Sequence, residues 1–244
     1  MASIFDNPAL FGEVWAEDYD SCELLDPAPA VDFLAGLAGG GRVLELAIGT
    51  GRVGLPLARR GVRVEGVEGS DKMAAKLRAK PGGEGIPVTI GDMADVPVQG
   101  PFELVYLVYN TLFNLVDASR QASCFRNVAR VLAPGGAFVI ECYVPDPSRF
   151  PDGQRVQAVG VTEDSASIEV YSVDKAAQSF ITQTITFDRN GMRMRPHAER
   201  WCWPAELDLM ADRAGLRLAD RYAGWDRRPF GSESTDHISV YRNN

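Results

Sequence analysis

The chain has 244 residues, of which 45% are hydrophobic and 24% are charged, as in ordinary soluble globular proteins. This composition excludes a disordered, collagen-like or disulfide-scaffold protein. Lys and Arg number 25 against 33 Asp and Glu, so the formal net charge is −8 and a nucleic-acid partner is not expected. No apolar run approaches the ~20 residues of a membrane span, the start lacks a basic and apolar leader, and no cluster of His, Asp or Cys has metal-ligand spacing. We therefore expect a cytoplasmic protein with no membrane segment and no metal.

Residues 1–41 are predicted to form an N-terminal helical cap. A short helix is expected around Phe11–Tyr19, and Asp26 with Pro27 opens a second, better helix that ends at glycines 39–41. The apolar side chains of this second helix recur at the i, i+3, i+4, i+7 spacing of one helix face, at Val31, Leu34, Ala35 and Ala38.

Residues 42–144 alternate between strands and helices and are predicted to be an α/β core. Ser70 and Asp117 are the expected N-caps of two of these helices. Strands that alternate with helices favour a parallel sheet covered by helices on both faces. The predicted strands are Val43–Leu46, Val62–Val67, Val88–Ile90, Leu104–Val108 and Ala137–Glu141.

The pattern changes in residues 145–203, which are predicted to be an antiparallel β insert that roofs the pocket. Asn190-Gly191 is a strong hairpin signal between two of its strands. Residues 204–244 return to the core sheet with a helix that begins at Pro204. The predicted strands of these two regions are Ser167–Val173, Phe180–Phe187, Met192–Trp203, Arg217–Tyr222 and Ile238–Arg242.

The segment Val43–Arg52 carries an acidic residue, Glu45, at the end of a strand, followed by a turn with Gly49 and Gly51. Glycine suits this turn because the backbone bends sharply and a ligand must approach it without a Cβ in the way. Glu68 ends the next strand, where a carboxylate can accept both hydrogens of a ribose diol. The segment therefore predicts a nucleoside-binding crevice at the carboxyl ends of the strands.

Two further segments complete the pattern, namely Gly91-Asp92-Met93 after the third strand and Pro134-Gly135-Gly136 before the fifth. Together these segments resemble the class I S-adenosylmethionine (SAM)-dependent methyltransferases, over about residues 10–145 and, by topology, 200–244. The resemblance implies a doubly wound, mainly parallel seven-stranded sheet with an antiparallel final hairpin. It also implies SAM as the methyl donor and S-adenosylhomocysteine as the product.

The resemblance implies roles for single residues as well. Glu68 is expected to hold the ribose hydroxyls and Asp92 the adenine amine, while Met93 is expected to pack on the adenine ring. Glu45 and the glycine turn are expected beside the methionine part, and Ala47, which replaces the first glycine of the usual loop, is expected to have a negative φ. The complete set of expected cofactor-binding residues is Tyr19, Glu45, Ala47, Gly49, Gly51, Glu68, Gly69, Ser70, Asp92, Met93, Tyr109 and Asn110.

Two other functions stay open at this point. Residues 49–54 read G-x-G-x-x-G, the dinucleotide fingerprint, which suits an NAD-dependent oxidoreductase. The carboxylate of Glu45, the Gly-Asp-Met segment and the Pro-Gly-Gly turn favour the methyltransferase instead. The second alternative is a SAM-binding protein without turnover, because cofactor motifs do not prove catalysis.

The acceptor is predicted to be a small molecule. Residues 108–115 lack the Asn/Asp-Pro-Pro-aromatic sequence of enzymes that methylate amino groups of nucleic acids. The chain is similar instead to small-molecule methyltransferases of natural-product pathways such as antibiotic biosynthesis. In one such group, the sugar N-methyltransferases, Tyr19 would close over the cofactor and a histidine often stands near the position of Asn114. Asp18 and Asp20 are either surface charges or contacts to a substrate amine. The sequence leaves open O- or N-methylation, and a monomer or a homodimer.

A hydroxyl acceptor usually needs a base to remove its proton, whereas an amine needs only to be neutral and oriented. We expect His197 to be the base, because the insert that carries it should roof the pocket. Glu141 and Tyr143 end the fifth strand at the ligand side of the sheet and are rival bases or substrate contacts. His237, at the start of the last strand, is the other histidine, and a structural role is the alternative for both His197 and His237.

Overall fold

The computed structural model describes residues 4–21 and 26–243. Its α-helices are α1 (Leu10–Trp15), α2 (Ala28–Leu37), α3 (Gly54–Arg59), α4 (Asp71–Arg78), α5 (Ala118–Val131) and α6 (Pro204–Arg213). Its strands are β1 (Arg42–Leu46), β2 (Arg63–Glu68), β3 (Val88–Ile90), β4 (Phe102–Leu107), β5 (Leu132–Tyr143), β6 (Gln154–Val161), β7 (Ala166–Asp174), β8 (Ser179–Asp188), β9 (Gly191–Arg200), β10 (Leu216–Tyr222) and β11 (Asp236–Asn243). None of the helices in these ranges has the length and apolar character needed to span a bilayer.

Seven strands form the main sheet, in the order β10-β11-β5-β4-β1-β2-β3. Strands β1 to β5 pair in parallel, and β11 is antiparallel to both of its neighbours, β5 and β10. The prediction of a doubly wound, mainly parallel seven-stranded sheet with an antiparallel final hairpin is therefore confirmed.

Both faces of the main sheet are buried, because successive side chains of its strands point to opposite faces and both sets are apolar. On one face, Leu44 and Phe138 pack with the buried sides of α5 and α6. On the other face, Val43 and Val139 pack with α2 and α3. Each such side chain contributes roughly 1.5–3 kcal/mol by leaving water, and the two layers hold the carboxyl ends of the strands rigid.

Local signals in the sequence mark several element boundaries correctly. The Ser70 hydroxyl accepts a bond from the Met73 N–H at the start of α4, and the Asp117 carboxylate accepts from the Ser119 N–H at the start of α5. Strand β5 begins five residues before the predicted Ala137, because Leu132 already pairs with β4 before the register shifts around the Pro-Gly-Gly segment.

Strands β6 to β9 form a second sheet, entirely antiparallel, which we call the roof sheet. Its hairpin between β8 and β9 lies where predicted, although Arg189 and Asn190 are the loop residues and Gly191, at φ +117°, pairs with Asp188. Strand β6 was absent from the prediction because a bulge between Ala158 and Gly160 interrupts its alternation. The predicted strand Met192–Trp203 is also too long, because β9 ends at Arg200, before Trp201 and Trp203.

Candidate active site

A cavity of about 280 Å³ opens at the carboxyl ends of the core strands, beneath β9 of the roof sheet. This is the crevice in which open α/β sheets bind their ligands. The turns after β1, β2 and β3 supply Ala47, Gly49, Val67, Glu68, Gly69, Gly91, Asp92 and Met93. The N-terminal segment supplies Phe11 and Tyr19 among others, the segment after β4 supplies Tyr109, Thr111 and Asn114, α5 supplies Arg120, and β9 supplies Pro196, His197, Ala198 and Glu199.

The turn after β1 contradicts one prediction. Ala47 has φ +53°, not the negative value expected for a residue with a Cβ. The left-handed conformation costs a non-glycine residue about 1–2 kcal/mol, and the neighbouring bonds hold it in place. The Ile48 N–H donates to the Val67 carbonyl (3.0 Å), and the Gly49 N–H donates to the Glu68 carboxylate (2.8 Å).

The two expected glycines of this turn have different surroundings. Gly49, at φ +58°, lies on the cavity wall, and a Cβ there would meet only the Ala47 carbonyl oxygen at 3.9 Å. Gly51, at φ +78°, is turned into the protein, where a Cβ would overlap the Leu77 side chain. Gly49 therefore leaves space for a ligand, whereas Gly51 leaves space for α4.

Glu68 lies on the cavity wall and is almost fully buried. Its two carboxylate oxygens accept bonds from the N–H groups of Gly49 (2.8 Å) and Ser70 (2.9 Å), and burial raises its pKa. Each carboxylate oxygen can accept more than one hydrogen bond. Glu68 can therefore accept ligand hydroxyls while its backbone donors keep it fixed. Ser70 itself caps α4 and does not line the wall.

Glu45 lies beneath the glycine turn and not on the described cavity wall. It is 3% exposed and accepts a bond from the Tyr106 hydroxyl (2.9 Å) and another from the Gly54 N–H. Burial raises the pKa of Glu45 to about 8. The carboxyl group therefore holds the turn against β4 and α3 from behind.

The turn after β3 places an ion pair on the wall. Asp92 binds the Arg120 guanidinium of α5 with one oxygen and accepts the Ala94 N–H (2.7 Å) with the other. Met93, beside it, packs against the core cluster that contains α5. Arg120 was not predicted as a site residue, because nothing in the sequence near α5 relates it to the turn after β3.

The N-terminal segment closes one side of the cavity. The Arg52 guanidinium stacks on the Tyr19 ring at 4.4 Å and donates to the Tyr19 carbonyl oxygen (2.9 Å). Asp18 forms an ion pair with Arg195 of β9, and Asp20 accepts from Thr50 (2.6 Å) and pairs with Lys80 (2.9 Å). Both aspartates are thus bound by protein groups, which disfavours the prediction that they contact a substrate amine.

A chain of three polar side chains links the roof sheet to β5. The His197 Nε2 lies 2.9 Å from one oxygen of Glu199, and the Tyr143 hydroxyl donates to the other oxygen at 2.8 Å. His197 and Glu199 lie on the cavity wall, whereas Tyr143 stands behind Glu199 against Phe113. Glu199 was not predicted, although its spacing of two from His197 on a strand is the signal that places both side chains on one face.

Glu141 does not reach the described cavity wall, contrary to its predicted role as a rival base. Its carboxylate oxygens accept hydrogen bonds from the Tyr109 N–H (2.7 Å) and the Trp225 indole N–H (2.8 Å). The reason is strand alternation, which turns Glu141 toward the α2 side of the sheet. Asn110 is also placed off the wall, and its side-chain oxygen accepts the Tyr143 N–H at 2.7 Å.

His237 is fully buried, as a structural histidine is. Its Nδ1 lies 2.9 Å from the Ser239 hydroxyl, and burial lowers its pKa to about 4. The ring is therefore neutral near pH 7 and does not line the cavity.

Comparison with known proteins identifies this arrangement. The model of a family described as a methyltransferase domain matches residues 43–136. The solved CcbJ methyltransferase from Streptomyces caelestis is 36% identical over 97% of this chain and 98% of its own, with a TM-score of 0.91. The chain is a class I SAM-dependent methyltransferase.

More distant relatives match nearly the whole chain. The cypemycin N-terminal methyltransferase from a Streptomyces species is 25% identical over 96% of this chain and 98% of its own. The SAM-bound amino pentose methyltransferase CalS10 from Micromonospora echinaspora has a TM-score of 0.72 at 21% identity, covering 95% of this chain and 97% of its own. SAM is thus the cofactor, and the oxidoreductase interpretation of residues 49–54 is wrong.

Proposed function

We propose that the enzyme methylates a nitrogen or oxygen of a small metabolite in a natural-product pathway such as antibiotic biosynthesis, and that it releases S-adenosylhomocysteine. One observation carries this proposal: the Glu199–His197 pair of the roof sheet shares a cavity wall with Glu68 and Gly49 of the cofactor turn. This shared wall supports an acceptor site beneath the roof sheet, in the same cavity as the cofactor.

The residues of the turns fit SAM. Glu68 has unused acceptor capacity for the ribose hydroxyls, and Gly49 leaves the backbone open for the methionine part. When bound, SAM supplies an electrophilic methyl group whose transfer needs mainly alignment and the exclusion of water. The enclosing Tyr19 and Phe11 rings, which meet edge to face at 6.0 Å, support that exclusion.

A nitrogen acceptor is favoured by the charge of the wall. Its described carboxylates outnumber its single arginine, which is already paired with one of them, so the wall attracts a cationic amine. Glu199 can hold the ammonium form, and His197 can take the proton so that the neutral nitrogen attacks the methyl carbon. The relatives named for cypemycin N-terminal methylation and for a dTDP-amino-sugar N,N-dimethyltransferase support this choice. The four carboxylates of the cavity wall are Asp6, Glu68, Asp92 and Glu199.

A hydroxyl acceptor is the second candidate, and the orientation of His197 favours it. The imidazole is held by Glu199 at 2.9 Å, an arrangement in which a carboxylate fixes a histidine that removes a proton. Tyr143 then fixes the carboxylate in turn (2.8 Å).

Matched acceptors test the proposal. The enzyme is incubated with SAM and with pairs of amino and hydroxy compounds of the same skeleton, chosen from amino sugars, amino acids and short peptides, and released S-adenosylhomocysteine is measured. Turnover of the amino members supports N-methylation, and turnover of the hydroxy members alone shifts the assignment to oxygen. Binding of SAM without turnover of any pair would favour the binding-only alternative.

A further inference from the structure

The segment that follows β4 has a strained backbone where it joins the cavity wall. Tyr109 and Asn110 are consecutive residues with positive φ, at +55° and +61°, although neither is glycine. Such conformations persist where the surrounding structure holds them, and they cluster at functional sites. Asn110 is held through its side-chain oxygen, which accepts the Tyr143 N–H at 2.7 Å. The groups that hold Tyr109 therefore decide how this part of the wall is shaped.

Glu141 of β5 holds the backbone of Tyr109. One of its carboxylate oxygens accepts the Tyr109 N–H (2.7 Å). The other accepts the indole N–H of Trp225 (2.8 Å), which lies 84 residues further along the chain than Glu141. A carboxylate with a donor on each oxygen has a fixed orientation, as a group that supports a binding site requires. Glu141 therefore links the conformation of Tyr109 to the loop between β10 and β11.

Trp225 is anchored on α2. Its ring meets the Phe33 ring edge to face at 5.4 Å, and Phe33 is almost fully buried. The Arg227 guanidinium lies over the same Phe33 ring at 5.0 Å, so the loop contacts this side chain at two positions. The described residues that line the cavity include none from this loop, residues 223–235. Trp225 can therefore influence the cavity wall through Glu141 but not by direct contact.

The Tyr109 side chain itself lines the cavity. Its hydroxyl is buried and has no hydrogen-bond partner in the described part of the chain. Burial raises the pKa of Tyr109 to about 12, so the hydroxyl is protonated near pH 7 and can donate. A buried donor without a partner is unfavourable, and a ligand in the cavity would supply the missing acceptor.

The neighbours of Tyr109 indicate that this ligand is the cofactor. Arg52, whose guanidinium lies over the Tyr109 ring at 5.7 Å, directly follows Gly51 of the glycine turn. One nitrogen of that guanidinium, Nη1, is also buried without a partner among the residues that the structure describes. Two unpartnered donors therefore lie close to the turn whose residues fit SAM.

We propose that Glu141 and Trp225 are positioning residues for SAM, which hold Tyr109 in the left-handed conformation that presents its hydroxyl to the bound cofactor. Neither Glu141 nor Trp225 is on the described cavity wall, so both act through Tyr109. The proposal rests on SAM as the cofactor and is independent of the acceptor. It can therefore be tested by cofactor binding alone.

A double-substitution cycle on the full chain tests the proposal, with the dissociation constant for S-adenosylhomocysteine measured by calorimetry. Tyr109→Phe removes only the hydroxyl, and Glu141→Gln replaces one accepting oxygen by an amide NH₂ group. Each substitution should weaken binding by roughly 5- to 10-fold, the loss expected for one hydrogen bond. Because Glu141 acts through Tyr109, Glu141→Gln should weaken binding by less than about 2-fold in the Tyr109→Phe background.

Trp225→Phe is a second variant, because it keeps an aromatic ring against Phe33 and removes the indole N–H. It should weaken the binding of S-adenosylhomocysteine by roughly 2- to 5-fold. Amide hydrogen exchange of residues 108–115 should be faster in Trp225→Phe and in Glu141→Gln, whereas exchange in β1 and β4 should match the wild type. A change confined to this segment distinguishes positioning from a general loss of stability.

Glu65→Gln is the matched control, because this carboxylate of β2 also accepts two N–H donors, both from Arg42 (2.6 and 3.0 Å), and is not on the described cavity wall. It should leave the affinity and the exchange of residues 108–115 unchanged. Additive effects of Tyr109→Phe and Glu141→Gln would overturn the proposal, and so would an unchanged affinity in Tyr109→Phe. An equal loss of affinity in Glu65→Gln would overturn it as well, since the effect would then follow from any lost carboxylate of the core.

Discussion

The two sheets of this enzyme distribute polar and apolar residues in opposite ways. The main sheet is apolar on both faces, and helices cover both. The roof sheet is mainly polar on the face directed at the molecule, whereas most of its exposed apolar side chains lie on the face directed outward. The main sheet thus forms the stable core, whereas the roof sheet contributes the polar side chains of His197 and Glu199 to the cavity wall.

The carboxylates of the two sheets differ in the same way. Glu45 of the main sheet is buried and accepts a hydrogen bond from the Tyr106 hydroxyl, and burial raises its pKa to about 8. Its role is therefore structural. Glu199 of the roof sheet lies on the cavity wall with a histidine beside it and a tyrosine behind it. Substitution of Glu199 in the roof sheet should therefore change turnover, whereas substitutions in the main sheet and its turns should change stability or cofactor affinity.

The largest expected effect is that of Glu199→Gln, which removes the charge that contacts His197 and that we propose holds the acceptor. The kcat/KM for the acceptor should fall by roughly 10²–10³-fold, as expected for the loss of a proton-transfer partner, with SAM affinity nearly unchanged. His197→Ala should behave similarly. Steady-state kinetics and calorimetry measure the two quantities.

Glu169→Gln is the control for that comparison, because Glu169 lies on the same inner face but outside the cavity wall, bonded to Tyr171 and Gln157. Its turnover should equal that of the wild type. An equal loss of turnover in both variants would mean that removing any carboxylate from this face lowers turnover. That result would contradict a specific role of Glu199.

Gly51→Val should have the next largest effect, on the main sheet and its turn. The new side chain would overlap Leu77 at a backbone φ of +78°, so the free energy of unfolding should fall by roughly 2–4 kcal/mol. Denaturant titration measures this. Gly61→Val is the control, because Gly61 also has a positive φ (+84°) but a Cβ added there would contact no neighbouring atom. Gly61→Val should therefore lower the free energy of unfolding by less than Gly51→Val does.

Glu68→Ala should weaken SAM binding by about 2–3 kcal/mol, because two charge-assisted hydrogen bonds to the ribose are lost. Calorimetric titration measures the affinity. Glu65→Ala is the matched control on the same strand, where the carboxylate pairs with Arg42 (2.6 Å) away from the cavity. Full SAM affinity in Glu68→Ala would refute the proposed ribose contact.

The last expected effect concerns Glu45 and pH. Its pKa is about 8 in the folded chain against an ordinary 4.5, so its contribution to stability is complete below pH 4.5 and is lost as pH rises through about 8. The melting temperature of the wild type should therefore fall more steeply over this range than that of Glu45→Gln. Parallel pH dependences of the two proteins would contradict the raised pKa.

Much of the fold could be predicted from the sequence because its signals are local. Hydrophobic periodicity located α2 and the core strands, and the side chains of Ser70 and Asp117 marked helix starts by bonding backbone groups three or fewer residues away. The order of the glycine turn, Glu68 and Asp92 along the chain indicated a cofactor crevice, because strand ends in a parallel sheet meet at one edge. These features depend on neighbours in the chain, which the sequence displays directly.

Only the tertiary structure decided which side chains the cavity receives. Strand direction turns Glu141 toward Trp225, and the roof sheet brings Glu199 to Tyr143, 56 residues away in the chain. The positive φ of Ala47 depends on bonds from the adjoining residues to β2. The sequence by itself thus indicated the family and its cofactor, and it determined the order of the strands in the main sheet. The cavity wall and the inverted faces of the roof sheet depended on long-range packing, because a side chain's partner is set by the elements folded against it and not by its neighbours in the chain.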